Sequence, residues 1–180
     1  LLVLLLSVAG CTALMPSRRP ETTQGMRPKN VLDDGYEDFV GVVHVHTRYS
    51  HDAHGTMPDV IRAANAQGLD FVVITEHNTL QPLRDGWQGR HGGNLLLVGV
   101  ELSARGGHYL ALNIAEEIDH HRLTTQQVID EVNRQGGLGF IAHPFFKKRR
   151  WIAMSVTGVA GVEADTVAQD TLDENRLRLV

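Results

Sequence analysis

The fold of this 180-residue chain is decided by residues 39–52, Phe39-Val40-Gly41-Val42-Val43-His44-Val45-His46-Thr47-Arg48-Tyr49-Ser50-His51-Asp52. The first half is apolar and rich in β-branched residues, which predicts a buried strand. His44 and His46 are two residues apart, so in a strand both side chains point to one face, roughly 6–7 Å apart along the chain. That spacing suits two imidazoles binding one metal ion, and Asp52 or its neighbour His51 offers a third donor. Two ordinary histidines near a strand end are the alternative.

The composition predicts one globular domain and gives no indication of a general nucleic-acid binder. A chain of 180 residues with 42% hydrophobic residues is long enough for one domain with a real core. The net charge of −4 leaves no basic surplus of the kind that a general nucleic-acid binder carries. We therefore expect no stable nucleic-acid partner. The ten histidines are many for this length.

Residues 1–11 resemble the signal of a bacterial lipoprotein. A short apolar run, too short to span a membrane, ends in Val8-Ala9-Gly10-Cys11. This tetrapeptide resembles a lipobox, in which the cysteine is lipidated and becomes the mature N-terminus. We expect an extracytoplasmic protein, on the periplasmic side or at the cell surface, anchored to the membrane by a lipid on Cys11. A buried apolar strand with a free thiol is the alternative.

Residues 12–37 predict a flexible linker that separates the anchor from the domain of residues 38–180. The segment contains Pro16, Pro20 and Pro28 among polar residues, and it has no sustained hydrophobic period. An ordered surface arm is the alternative. Since neither Met nor a basic segment precedes Leu1, we also expect the sequence to be clipped at its start.

Strands and helices alternate along the domain. Thr56, with Pro58 and Asp59 after it, is typical of a helix start, and Gly68 is typical of the end. A second helix is expected over residues 124–135, and residues 79–94 read as a polar loop. Strands are expected at residues 39–43, 70–75, 95–100, 108–114, 138–142 and 158–164. Strands separated by helices or long loops predict a parallel α/β sheet or barrel.

Residues able to bind metal follow several of these strands directly. They come after residue 43, after residue 75, at Glu101 and at His143. In α/β barrels the carboxyl ends of the strands form the active-site face. Structural histidines and glutamates would have no reason to collect at these positions, so we expect these side chains to share one site.

Five motifs in the chain match, in order, those of the polymerase and histidinol phosphatase (PHP) superfamily. They are His44-x-His46-Thr47, Ile74-Thr75-Glu76-His77-Asn78, Gly99-Val100-Glu101, Gly107-His108-Tyr109-Leu110 and Ala142-His143-Pro144. The resemblance implies a distorted (β/α)7 TIM-like barrel of the PHP type. It also implies two or three bound divalent metal ions and hydrolysis of phosphoesters. Imidazole and carboxylate ligands favour Zn, Mn or Fe over Ca or Mg.

The resemblance assigns ligands to a first and a second metal ion. His44 and His46 would bind the first ion, and Glu101 would bridge the first and second ions. His108 and His143 would complete the second site.

A third ion would be bound by Asp52 and His77, with His51 as the rival of Asp52. On this resemblance, Glu101, Asp52 and His77 are the expected catalytic residues. Glu76 stands where the family usually has Asp, and we expect it to orient His77 or a water molecule.

The family closes its site with a late Asp-x-His pair, which has no counterpart after His143 in this sequence. Gly161-Val162-Glu163 resembles the family's Gly-x-Glu segment, and Val180 follows soon after it. We therefore expect the barrel to be truncated at the C-terminus and the site to lack two ligands.

The expected substrate is a small-molecule or nucleotide phosphoester. A bound divalent ion lowers the pKa of a water molecule towards ~7, so no Ser or Cys nucleophile is needed. Arg48, beside the ligands, and Lys147, in the basic run after His143, could hold a substrate phosphate. Ser50 and Ser103 are expected to serve loop structure. We expect solvent exposure for the remaining histidines, His54, His91, His120 and His121.

Two alternatives to a phosphoesterase stay open at this point. One is a related metallo-hydrolase that acts on non-phosphate esters or carbamates. The other is a lipoprotein that keeps the fold and binds a metal or another ligand without catalysis.

Overall fold

The computed structural model describes residues 37–145, 151–153 and 155–163. Over these residues the chain forms a seven-stranded mixed sheet with three helices. The elements are β1 (Gly41–Val45), α1 (Met57–Gln67), β2 (Phe71–His77), α2 (Gln81–Arg84), β3 (Gly89–His91), β4 (Asn94–Ala104), β5 (Gly107–Leu112), α3 (Thr125–Arg134), β6 (Leu138–Ile141) and β7 (Gly161–Val162). The predicted signal peptide with Cys11, residues 12–36 of the predicted linker, and Lys147 lie outside the described residues. Among the described helices, none has both the length and the apolar character that crossing a bilayer requires.

The strands run in the order β1-β2-β4-β5-β6-β7, and β3 pairs with the start of β4. The pairs β1–β2, β2–β4 and β6–β7 are parallel, whereas β3–β4, β4–β5 and β5–β6 are antiparallel. The prediction of a parallel sheet is therefore wrong for half of the pairs. Only Arg105 and Gly106 separate β4 from β5. A connection of that length can form a hairpin, whereas parallel neighbours need a crossover of about a dozen residues or more.

The sheet curls, so that its two ends meet. β1 and β7 lie at opposite ends of the strand order, and a flat sheet would separate them by about 24 Å at ~4.8 Å per strand. Yet Nδ1 of His44 in β1 lies 2.7 Å from Oε1 of Glu163, the residue after β7. The mixed α/β fold with a curled sheet agrees with the expected distorted barrel. The number of barrel units and the C-terminal truncation stay predictions.

Several strands are longer or shorter than the sequence predicted. β2 continues through Glu76 and His77, and β4 continues past Glu101 to Ala104, because His77 and Glu101 are paired in the parallel ladder. Polar residues that contact one another can stay inside a strand, although they interrupt an apolar run. The predicted loop at residues 79–94 contains α2 and β3, and the last predicted strand is reduced to the two residues of β7.

The two long helices match their predictions, because their boundaries are set locally. The Thr56 hydroxyl accepts from the backbone N–H of Asp59 in a capping box, and Gly68 ends α1 in the left-handed region at φ 63°. Thr124 caps α3 in the same way, with Gln127 as its partner. α1 packs Met57 and Ala64 on β1 and β2, while the buried residues of α3 pack on β4, β5 and β6.

Candidate metal centre

A bulge in β1 aims two imidazoles at the same oxygen atom. The ladder pairs Val42 with Val72 but Val45 with Ile74, so β1 carries one extra residue there. His44 has a φ of 67°, an uncommon conformation for a residue other than glycine. The expectation of plain strand alternation is therefore wrong. The two imidazoles nevertheless converge as expected, and the two ring centroids are 5.1 Å apart.

The carboxylate of Glu101 lies at the centre of the site and is 1% exposed. It comes from the middle of β4, not from a strand end, and its two oxygens face two different sets of imidazoles. Oε2 lies 3.1 Å from Nε2 of His44, 3.1 Å from Nε2 of His46 and 3.2 Å from Nδ1 of His77. Oε1 lies 2.5 Å from Nδ1 of His108 and 2.8 Å from Nε2 of His143. A bridging carboxylate requires such a division of its oxygens.

The imidazoles keep Glu101 ionised in spite of its burial. Burial raises the pKa of Glu101, but hydrogen bonds with His108, His143, His44 and His46 outweigh it and hold the pKa well below its usual range. Burial likewise lowers the pKa of His44, but the carboxylates of Glu101 and Glu163 outweigh it and raise that pKa to about 10. The interior of the site therefore favours positive charge at His44.

A third group of donors lies on the solvent side. Oδ2 of Asp52 is 3.1 Å from Nε2 of His77, and Asp52 has a side chain that is 48% exposed. Burial lowers the pKa of His77, although the Glu101 carboxylate partly offsets the shift, and the lowered pKa favours the neutral form of the imidazole that binds cations. The ring of His51 lies 5.0 Å from that of His77. In this structure Asp52, not His51, joins the donor group.

The donor set fits divalent transition metal ions. Three groups of donor atoms within 4.8 Å of one another occur among the described residues, namely His44-His46-Glu101, His46-Asp52-His77 and His77-Glu101-His108. Five imidazoles surround one carboxylate. If protons alone bridged these contacts, several neighbouring imidazoles would have to carry a positive charge at once. Neutral imidazoles that share bound cations avoid this crowding of charge. Imidazole nitrogen with carboxylate oxygen is the ligand combination that Zn, Mn and Fe accept.

Glu163 is a site residue that the sequence reasoning did not assign. It is 3% exposed, its Oε1 lies 2.7 Å from Nδ1 of His44, and its Oε2 accepts the backbone N–H of His143 at 2.6 Å. Glu163 thereby fixes the ring of His44 with Nε2 towards Glu101. The sequence did contain a signal for Glu163. It directly follows an apolar strand, just as Glu101 was expected to follow the predicted strand of residues 95–100.

Glu76 and Ser50 hold the loop that follows His46. Glu76 is fully buried and accepts hydrogen bonds from the Thr47 backbone at 2.9 Å and from the hydroxyls of Thr47 and Ser50, both at 2.5 Å. The Ser50 hydroxyl oxygen accepts from the backbone N–H of His77 at 2.9 Å and lies 3.1 Å from Nδ1 of His46. Within the described part of the chain, hydrogen bonds therefore connect the Glu76 carboxylate to the backbone N–H of His77 through the Ser50 hydroxyl. Ser50 contacts the site directly, beyond the loop role expected for it.

The other polar residues are dispersed around the site. Arg48 is exposed, and its backbone N–H donates to the Gly55 carbonyl at 2.8 Å, which closes the loop that carries Asp52. The expectation that His120 is exposed is wrong, because it is 7% exposed and its ring lies 3.9 Å from that of His121. His54 and His121 are exposed, and His91 is half-buried.

Comparison with known proteins gives one family and a few distant relatives. A model described as PHP domain matches residues 43–178. An uncharacterised protein of Methanocaldococcus jannaschii is 26% identical over 117 residues, which are 57% of this chain and 66% of that protein. The chain thus spans just under two thirds of that relative.

Two solved structures were also found. A protein of Bifidobacterium adolescentis, named a candidate metal-dependent phosphoesterase, superposes with a TM-score of 0.54 at 18% identity, over 77% of this chain and 81% of its own. A two-domain protein of Bacteroides vulgatus, named for a PHP-like metal-dependent phosphoesterase, gives a TM-score of 0.48 at 24% identity, over 64% of this chain and 38% of its own. The first of these shows a similar fold.

Proposed function

Because the chain belongs to the PHP domain family, we propose that it is a metal-dependent phosphoesterase. The observation that carries this proposal is the convergence of five imidazoles on the buried carboxylate of Glu101. Such a cluster would be costly in a protein that did not bind cations, because imidazoles and a carboxylate have been removed from water together. The name of the Bifidobacterium adolescentis protein, which has a similar fold, points to the same class of activity.

Three groups of residues in the chain would hold the ions. His44 and His46 with Glu101 would hold one ion, His108 and His143 with the other oxygen of Glu101 a second. Asp52 and His77 would hold a third on the solvent side. When bound, divalent ions supply an activated water near neutral pH and neutralise negative charge on the phosphoryl oxygens.

The protein groups around these ligands fix their orientation. Glu163 holds the His44 ring, and Ser50 lies against Nδ1 of His46, so both rings present Nε2 to Glu101. Glu101 would set the distance between the ions through its two oxygens. Arg48 stands exposed on the loop of Asp52, where it could bind the phosphate of an entering small-molecule or nucleotide phosphoester.

We further propose that the protein acts outside the cytoplasm, attached to a membrane by a lipid on Cys11. This proposal rests on the lipobox-like sequence alone. It would separate the enzyme from DNA replication, which is consistent with the absence of a basic surplus in the sequence.

A hydrolysis assay with added Mn or Zn tests the proposed function. The full-length protein should hydrolyse phosphomonoesters or phosphodiesters, and Glu101→Gln should lower kcat/KM by about a thousandfold, because a neutral amide is a poor bridge between two cations. His54→Ala, in an exposed residue outside the site, is the control and should stay near wild type. Hydrolysis of aryl esters or carbamates without any phosphoesterase activity would replace this proposal with the related metallo-hydrolase. Binding of metal without hydrolysis of either class would indicate a non-catalytic protein.

A further inference from the structure

A pocket of about 260 Å³ opens beside the metal centre. Residues 103–108, the turn between β4 and β5 with its flanks, form one wall, and Ile152 forms the other. His108 belongs to both sites, since it lines the pocket while its Nδ1 lies 2.5 Å from Glu101. A molecule in this pocket would therefore be adjacent to a group bound at the metal centre.

The walls of the pocket are fixed by close backbone contacts. The N–H of Ile152 donates to the Gly106 carbonyl at 2.8 Å, and the N–H of Gly106 donates to the Thr125 hydroxyl at 2.8 Å. Gly107 has a φ of 138°, and a Cβ there would lie 2.8 Å from the ring of the buried Trp151. The turn and the segment of residues 151–153 are thus packed against each other, so the pocket is built into the fold.

The pocket combines an apolar wall with an unneutralised cation. The Ile152 side chain is 69% exposed and offers an apolar surface. The recorded contact of the Arg105 guanidinium is a 3.5 Å hydrogen bond to the His121 carbonyl, and no carboxylate pairs with Arg105 among the described residues. Four other arginines do form ion pairs with carboxylates, namely Arg62, Arg84, Arg122 and Arg134.

Ser103 adds a hydrogen-bond donor to the same pocket. Its hydroxyl oxygen accepts from Nδ2 of the Asn78 side chain at 3.1 Å, and its backbone N–H donates to Oδ1 of the same side chain at 2.8 Å. The hydroxyl proton has no recorded acceptor among the described residues, so it can donate to a ligand. A cation, a hydroxyl donor and an apolar wall together suit a short carbon chain that ends in an anion.

We propose that this pocket binds the alcohol portion of the substrate and that Arg105 binds an anionic group on it, either a carboxylate or a second phosphate. The inference rests on the proposed phosphoesterase function, because it places the phosphoester at the metal centre. It narrows the substrate class to phosphoesters whose alcohol portion carries a second anionic group, and it makes Arg105 a specificity residue.

Non-hydrolysable phosphonates test this pocket without any turnover. The metal-loaded chain is titrated by calorimetry with alkylphosphonates of two, three and four carbons, and with the same chains ending in a carboxylate or in a second phosphonate. At the best length, the probe with two anionic groups should bind about tenfold more tightly than the alkylphosphonate, since a charge-assisted contact contributes that much. The carboxylate series and the second-phosphonate series distinguish the two kinds of anion.

Three variants locate the effect. Arg105→Ala, and Ile152→Asp with its opposing charge, should reduce the tenfold advantage to less than about threefold. Arg90→Ala is the matched control and should keep the advantage. Arg90 likewise has no carboxylate partner among the described residues, and its register partner Leu95 lies at the start of β4, on the order of 30 Å from Arg105 along the strand.

The outcomes separate this inference from the proposed function. Any of three results would overturn the assignment of the pocket. The affinity advantage of the second anionic group could persist in Arg105→Ala, it could be missing at every chain length, or no phosphonate could bind. Hydrolysis of simple phosphoesters alongside such a result would leave the proposed function intact. An advantage lost in Arg105→Ala, in a chain that hydrolyses no phosphoester, would support the pocket and contradict the proposed activity.

Discussion

The histidines of the site are oriented by buried polar residues behind them. Ser50 is central to this arrangement, because its hydroxyl contacts Glu76, the backbone N–H of His77 and Nδ1 of His46. A ring nitrogen that is held in this way determines which nitrogen faces the metal. The orientation of His46 thus depends on a residue that offers no metal ligand itself.

Ser50→Ala should lower metal affinity about 10–100-fold, the usual effect of losing a partner behind a ligand. It should also cost about 1–3 kcal/mol of unfolding free energy, because Glu76 loses a hydrogen bond in a buried position. Competition with a chelator and urea unfolding measure the two effects. Ser155→Ala, in an exposed residue, is the control. A destabilised Ser50→Ala chain with wild-type metal affinity would show that Ser50 is merely structural.

Asp52 and His51 are neighbours with different expected roles. Asp52→Asn should weaken the binding of one metal ion, because it removes the charged donor that faces His77. His51→Ala should leave metal content unchanged. Elemental analysis after dialysis against limited chelator distinguishes the two variants, and loss of metal in His51→Ala alone would transfer the ligand role to His51.

The sequence predicted which histidines converge on Glu101 better than it predicted the residues that support them. His44, His46, His77, Glu101 and His143 stand in short motifs that can be read locally. Glu163 is 119 residues from its partner His44, so its role depends on the curl of the sheet, which no local pattern encodes. The reach of Ser50 towards His46 depends on the conformation of the loop that closes at Gly55.

At the scale of elements, the helix boundaries could be predicted from neighbouring residues, whereas the pairing of the strands could not. Capping residues set both ends of α1, whereas the antiparallel direction of β5 follows from a two-residue connection. The bulge in β1 cannot be read from the sequence of β1 alone, because it is defined by the register between β1 and β2. Sequence patterns therefore located most strands but not their directions.

Gly139 in β6 is required by a close approach. A Cβ at this position would overlap the ring of Tyr109, which is fully buried and cannot move away. Gly139→Ala should cost about 1–3 kcal/mol of unfolding free energy through overpacking. Gly55→Ala is the matched control, because nothing lies within 4 Å of its Cβ, and it should change stability by less than about 0.5 kcal/mol. Equal stabilities in urea unfolding would refute the packing of β6 on β5.

The capping box of α1 gives a pH dependence with a definite sign. Hydrogen bonds from the Thr56 hydroxyl and backbone, and then from Arg62, lower the pKa of Asp59 from 3.8 to about 2. A carboxyl group with a lowered folded pKa stabilises the fold above its unfolded pKa, and that stabilisation is lost as pH falls from about 4 to about 2. The stability difference between wild type and Asp59→Asn should therefore shrink over this interval. A difference independent of pH would contradict the capping role of the charge.

At the scale of the whole molecule, one carboxylate connects both halves of the sheet. Glu101 comes from the central strand β4, and its histidine partners come from β1, β2 and β5 and from the segments after β1 and β6. The sequence predicted the class of fold, an α/β barrel-like sheet, and the convergence of side chains from several strands. The mixed strand directions and the contact between the two sheet ends arise from tertiary packing and required the structure.

The proposed anchor predicts where the protein is found. The wild-type protein should sediment with membranes, and Cys11→Ser should release it or leave its precursor unprocessed, because the lipid cannot be attached. Fractionation followed by immunoblotting measures this distribution. A wild-type protein confined to the cytoplasmic fraction would exclude the lipobox interpretation.

The most direct test of the metal centre is the metal content of the purified chain, measured by elemental analysis after loading and dialysis. Wild type should retain about two to three equivalents of divalent transition metal. The double variant His44→Ala with His46→Ala should lose at least about one equivalent, because it removes two of the three imidazoles that face Oε2 of Glu101. The control His54→Ala with His91→Ala should keep the wild-type content. A wild-type chain that retains no metal, or a double variant at His44 and His46 that retains all of it, would contradict the assignment of a metal centre around Glu101.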